Sequence, residues 1–332
     1  MFKRLISLLF LVLLLSNCVF EDRSDCLPAM PTSLRLHVNY PQGQNADESA
    51  LPIVRADFYI FDVQQRFVCC VSDETGPFNA GYQCTVNLSA GQYSVVLWGN
   101  KTKQYVCMPE PFIAGQTRLG DARLLLGPLA NRLNVDFETS VSGPSMPLYH
   151  AIEQDIIVEE GKVTDVTLPL YRNTKTIRFA VRFQTKDGTL CEDLSHKYNV
   201  ILRSADGVLG FDNSVLAGST FDYTPTPEDD SIAEGFDAAF HKMTLRTDEA
   251  EISEILLTRK ATVQSGTPEV FYRESLMKLL AGTGYSSQQA LDRTHVYDIE
   301  LCFTCGHGDG GTNTTVRIWV NGWEYVDFDE EV

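Results

Sequence analysis

From Thr176 to Phe183 the chain alternates, with Ile177, Phe179, Val181 and Phe183 on one side of an extended segment and Thr176, Arg178, Ala180 and Arg182 on the other. A repeat of two is the period of a strand with one buried face; a helix of 3.6 residues per turn would scatter these residues around its axis. The same period recurs at Leu34, Leu36, Val38 and Tyr40, and β-forming residues fill 54–63, 67–71, 82–88 and 93–98. Tyr93–Trp98 is apolar on both faces, as a central strand would be.

Turn chemistry separates these runs. Gln64-Gln65-Arg66 predicts a hairpin between 54–63 and 67–71, and Ser89-Ala90-Gly91-Gln92 joins 82–88 to 93–98 by a short turn. Further strands are expected at 132–137, 149–158 and 162–170, the last two divided by Glu159-Glu160-Gly161. After the strand at Ile177 comes a Lys186-Asp187-Gly188 turn, then a hairpin of 198–203 and 208–211 around Ala205-Asp206-Gly207. Residues 242–246, 252–258, 296–303 and 315–320 supply the remaining strands, and 224–235 reads as an acidic loop. One helix is expected, Val270–Ala281, with Leu276, Leu279 and Leu280 on one face and Gly282 as its stop. So many short strands with one helix predict an all-β protein of two tandem β-sandwich domains, 31–171 and 172–332, set end to end across a short connection.

The N-terminus is of another kind. Lys3 and Arg4 precede an apolar run from Leu5 to Leu15. As a helix that run would rise about 16 Å, roughly half of a hydrocarbon core, so it reads as an export signal spanning residues 1–17. Leu15-Ser16-Asn17-Cys18 resembles a lipoprotein signal-peptidase box, with Asn17 where Gly, Ala or Ser is usual. The resemblance implies that Cys18 is acylated and becomes the new N-terminus, followed by a tether, 18–30, that carries Glu21, Asp22 and Asp25. An acidic stretch there resembles the tags that carry some lipoproteins to the outer face of the outer membrane.

Charge narrows the partners. Removal of residues 1–17 takes Lys3 and Arg4 and no acid, leaving 25 basic and 44 acidic side chains and a formal charge of −19. Phosphate binding needs clustered Lys and Arg, so nucleic acid is excluded, and broad contact with anionic lipid is disfavoured; membrane attachment must come from the lipid.

No catalytic constellation is present: there is no Gly-x-Ser-x-Gly elbow, His-Glu-x-x-His, Walker loop or dinucleotide fingerprint. The six histidines are scattered, and the glycine-rich run Gly306–Gly311 opens no helix that could hold phosphate. Cys302-x-x-Cys305 with His307 hints at a metal site, but zinc needs three or four converging ligands and no second pair exists. No enzyme activity, metal or cofactor is expected. Eight cysteines follow Cys18, at spacings that choose no disulfide pairing. Of the tryptophans, Trp98 reads as core, while Trp319 and Trp323 are candidates for a sugar-stacking platform.

Several short motifs, taken in order, are similar to one family. Cys18 to Cys26 resembles the start of the FimB-type fimbrial subunits, the minor fimbrium anchoring subunits; Met146-Pro147-Leu148-Tyr149, Leu170-Tyr171-Arg172 with Ile177, and Ile318-Trp319-Val320-Asn321-Gly322-Trp323 resemble later landmarks. The resemblance implies transthyretin-like sandwiches and a structural role: a lipid-anchored subunit that tethers a fimbria to the outer membrane and pairs with fimbrial pilin subunits by β-strand addition. The alternative is a surface glycan-binding lipoprotein. Residues 324–329 are expected to close their own domain rather than to serve as a donor strand.

Overall fold

A computed structural model describes residues 31–39, 53–78, 81–130, 140–185, 187–191, 198–226, 235–248, 252–259, 269–304 and 316–325. The fold is all-β. Its strands are β1 (Ser33–Asn39), β2 (Ala56–Asp62), β3 (Phe67–Asp73), β4 (Gln83–Asn87), β5 (Gly91–Gly99), β6 (Tyr105–Met108), β7 (Arg123–Leu126), β8 (Ser140–Ser142), β9 (Tyr149–Val158), β10 (Val163–Pro169) and β11 (Tyr171–Arg172). The series continues with β12 (Lys175–Gln184), β13 (Tyr198–Ser204), β14 (Val208–Gly210), β15 (Phe221–Thr224), β16 (Ala238–Lys242), β17 (Ser253–Arg259), β18 (Glu269–Ser275), β19 (Val296–Thr304), β20 (Val316–Val320) and β21 (Trp323–Tyr325).

The first sandwich packs the sheet β10-β1-β4 on the sheet β11-β9-β5-β2-β3. Leu34, Leu36 and Val38 of β1 share a core with Phe58 and Ile60 of β2 and Val95 and Leu97 of β5. Each such side chain contributes about 1.5–3 kcal/mol by leaving water. β2 and β3 form the expected hairpin, Ala56↔Asp73 to Phe61↔Phe67. The turns at 89–92 and 159–161 behave differently: β4 lies in one sheet and β5 in the other, and so do β10 and β9, so each turn carries the chain across the sandwich. The central strand β5 has two buried faces, as its composition predicts, with Tyr93, Val95 and Leu97 in the first core and Val96 and Trp98 in a second.

The second sandwich sets β16-β12-β19-β20-β21 against β18-β17-β13-β15-β8. Ile177, Phe179, Val181 and Phe183 face inward from β12, in one cluster with Leu202, Ile255 and Leu257. β12 runs parallel to β19 from Thr176↔Val296 to Gln184↔Thr304. Asn321 and Gly322 both have positive φ (49° and 79°), which gives the β20–β21 hairpin the tight turn that matches strand twist.

Three local expectations need correction. Residues 270–275 belong to β18, where Val270, Phe271 and Tyr272 suit a ladder; the helix is Leu276–Gly282, begun by Ser275, whose side chain accepts the Lys278 N–H. A further short helix, Gln288–Arg293, is capped by Ser287 in the same way. The strand expected at 242–246 instead ends at Lys242. Ala205-Asp206-Gly207 is not a hairpin tip: β13 pairs with β15 and β17, β14 pairs with β7, and Asp206 is wholly buried. The strand expected at 132–137 and most of the acidic loop lie outside the described residues.

The two halves interlock rather than merely meeting end to end. β14, from beyond residue 171, completes the sheet β14-β7-β6, and β8, from before it, pairs with β15 along Asp222↔Ser140 to Thr224↔Ser142. Phe211, just after β14, reaches an aromatic cluster of the first half, 4.9 Å from Tyr59, 5.3 Å from Phe112 and 6.0 Å from Trp98 between ring centres. Gly143 packs so closely on His241 that a Cβ would sit 1.8 Å from its carbonyl oxygen, so no larger residue fits without backbone movement.

Candidate functional site

The second sandwich has a ladder that stops early. β13 is paired along its whole length with β17, from Tyr198↔Arg259 to Ser204↔Ser253. On its other side β15 covers only Leu202, Arg203 and Ser204. The cause is local: Pro225 follows β15 and has no N–H to offer, and the N–H of Thr226 turns to the facing sheet, donating to Ala239 O at 2.8 Å. Among the described residues, Tyr198–Ile201 therefore form an open edge, a span of roughly 13 Å at about 3.3 Å per residue.

A cleft of about 480 Å³ lies along that edge. Its rim is Tyr198–Ile201 and Thr224-Pro225, and its apolar floor includes Val181, Leu257 and Ala238 from both sheets. Two carboxylates line it, and both are engaged. Asp222 is gripped by Arg203 (2.7 and 3.1 Å), and Asp237 accepts from the Val181 N–H (2.6 Å) and from Arg182 (3.0 Å). A trough of mixed apolar and polar lining beside an open strand edge suits an extended peptide, whose backbone continues the ladder while alternate side chains enter the floor.

The residues singled out in the sequence are scattered. Cys18, the acidic tether, Cys305, His307 and the glycine-rich run lie outside the described residues, as do residues 326–332. Cys302 is a buried free thiol on β19, and among the described residues no three His, Cys, Asp or Glu side chains gather as metal ligands would. Cys191 is disulfide-bonded. Trp98 is wholly buried. Trp319 and Trp323 do not form a shared platform: Trp319 stands opposite Glu324 and Trp323 opposite Val320, on opposite faces of the hairpin. Trp323–Tyr325 pairs with β20 in its own sheet, while residues 326–329 of the expected closing strand lie outside the described residues.

His150 is buried beneath Trp98, its Nε2 3.0 Å from the Phe211 carbonyl, and burial pushes its pKa down to about 4. Its contact with the Phe211 carbonyl joins the two halves. Sequence reading missed both the open edge and the polar cluster around Asp206. The first leaves a trace in Thr224-Pro225-Thr226-Pro227, where alternate prolines forbid a continuous ladder.

Comparison with known proteins agrees with this architecture. The fimbrial anchor protein Mfa2 from Porphyromonas gingivalis superposes with a TM-score of 0.68 at 17% identity, over 89% of this chain and 99% of that one. A candidate polysaccharide-binding protein from Bacteroides thetaiotaomicron gives 0.66 at 21%, over 90% and 99%. A candidate adhesin from Bacteroides ovatus gives 0.65 at 16%, over 91% and 96%. At such identities these likenesses establish the fold. No curated protein matches the chain. The model of one family matches residues 23–329, nearly the whole length, and the chain belongs to that family, the fimbrillin-A associated anchor proteins Mfa1 and Mfa2.

Proposed function

We propose that this chain is a lipid-anchored structural subunit of a fimbria, acylated at Cys18, that moors the fibre to the outer face of the outer membrane. It grips a fimbrial pilin by strand addition at the β13 edge. Membership of the anchor family supports the structural role. The observation that carries the pairing is the edge at Tyr198–Ile201, open among the described residues, beside a cleft of mixed apolar and polar lining. A pilin strand laid there gains up to four residues of ladder and buries alternate side chains, and interlocked halves would pass tension from that strand toward the tether.

Two variants separate the parts of this reading. Cys18→Ala should lose the acyl group by mass spectrometry of the mature N-terminus and release intact fibres into the medium. Val200→Asp places a charge in the cleft and should leave the subunit membrane-bound but bare of fibre. Fibres that stay attached in the first would remove the mooring; fibres that stay attached in the second would remove the cleft.

A further inference from the structure

The face of β12 turned away from the strand-acceptor cleft carries a second depression, of about 360 Å³. Register places its residues in rows across the sheet: Ala180 beside Glu300, Glu300 beside Trp319, and Trp319 beside Glu324. Trp319 is half-buried, and Phe236 stands at the other side of the same hollow. Ala180, Gly235 and Gly322 keep the space between them open.

The charges nearly cancel, three guanidiniums against four carboxylates, and most are spoken for. Arg178 binds Asp298 through two contacts (2.6 and 2.8 Å) and lies 4.4 Å from the Phe236 ring centre. Arg317 pairs with Glu324 at 2.8 Å while its guanidinium stacks on Trp319 at 4.8 Å. Arg182 is tied to Asp237 and to the Gly235 carbonyl. Glu300 is exposed in the middle of the hollow. An indole and a phenyl ring flank the pocket, a carboxylate acceptor stands between them, and the charges roughly cancel. That chemistry suits a ligand that is uncharged, flat on one face and rich in hydroxyls.

We propose that this hollow is a subsite for a neutral saccharide ring. The C–H face of the sugar packs on the face of Trp319 opposite Arg317, where the weakly positive hydrogens meet the negative π-face, and its hydroxyls donate to Glu300. Anionic glycans are disfavoured by the protein's overall charge of −17. The proposal is independent of fibre pairing, which uses the opposite face of β12.

Affinity electrophoresis of the purified chain through gels containing dextran, mannan or soluble starch tests this, with heparin and polygalacturonate as anionic comparators. At least one neutral polymer should retard the protein. Trp319→Ala should weaken that retardation at least tenfold and Glu300→Gln several-fold, and Trp323→Ala should leave it unchanged. Trp319→Phe, which keeps an aromatic face, guards against a folding defect and should retain part of the binding. Retardation by no neutral polymer, retardation by the anionic polymers alone, or retardation that survives Trp319→Ala would overturn the proposal.

Discussion

Lys242 Nζ lies 2.7 Å from Asp206 Oδ2, and both side chains are wholly out of water. Taking two ions into a sandwich core costs several kcal/mol each, so the pair persists only because other partners complete it. Asp206 also accepts from Ser204 Oγ (2.7 Å), Tyr223 OH (3.0 Å) and the Thr244 N–H (3.0 Å), and Lys242 donates to Thr244 O at 2.7 Å. The cluster thus ties β13, β15 and β16 from both layers. Lys242→Met should cost about 3–5 kcal/mol in urea unfolding, because it leaves a buried carboxylate without its counter-charge. The double variant Lys242→Met/Asp206→Leu should cost clearly less. Equal losses in the two would mean that charge is not what matters here.

Phe211 sits in a socket made by the other half of the chain, against Tyr59, Trp98 and Phe112. Phe211→Ala should cost about 3–5 kcal/mol through lost burial and a residual cavity. The shared cluster and crossed strands also predict one calorimetric transition for the wild type, with Phe211→Ala beginning to separate the halves into two. Two well-resolved transitions in the wild type would contradict the coupling.

The inward alternation on β12 and the two-faced β5 were readable because each strand's burial is written in its own residues. The partners of a strand are not. Ser89–Gln92 looks like any hairpin turn, yet it joins different sheets, because the return strand is chosen by packing of remote faces such as Leu36 on Phe58. Asp206 illustrates the strongest conflict: Ala-Asp-Gly is turn chemistry locally, and only Lys242, 36 positions later, explains why the acid is inside. The open edge on β13 was faintly legible in Pro225, since proline reports where a ladder must stop but not which strand is left bare.

Burial makes His150 a pH sensor of stability. Its folded pKa, about 4, lies below the ordinary value of 6.5, so the unfolded chain takes up the proton first as pH falls. Its contribution is fully present above pH 6.5 and is lost progressively from there down through pH 4, a total of about 3 kcal/mol. Between pH 7 and pH 5 the wild type should therefore lose more stability than His150→Gln, whose amide still donates to the Phe211 carbonyl. Parallel pH profiles for the two proteins would refute this.

Thiol accessibility follows the layers. Peptide mapping under non-reducing conditions should find Cys191 in a disulfide and Cys69, Cys70, Cys84, Cys107 and Cys302 as thiols. Burial raises the pKa of every one of these five, so none is a primed nucleophile. At pH 8 the exposed Cys70, although its pKa is pushed up to about 11, should be alkylated well before Cys302, which needs local opening of β19. Faster labelling of Cys302 would place that strand at a frayed edge rather than in the core.

The proline that ends β15 offers the sharpest handle on the proposed acceptor cleft. Continuing the register from Tyr223↔Leu202, residue 225 would stand opposite Val200, in the middle of the open edge. Pro225→Val restores an N–H and a β-forming side chain at that point, so the chain can extend its own ladder over the edge that a partner strand would use. The variant should melt no lower than the wild type, yet retain fibre subunits at least tenfold less well in pull-downs from outer membranes. Val200→Asp should give the same loss of capture by a different route, charge instead of occupancy. Agreement between a variant that closes the cleft and one that poisons it would tie capture to the edge itself, whereas undiminished capture in both would move the fibre contact elsewhere on the protein.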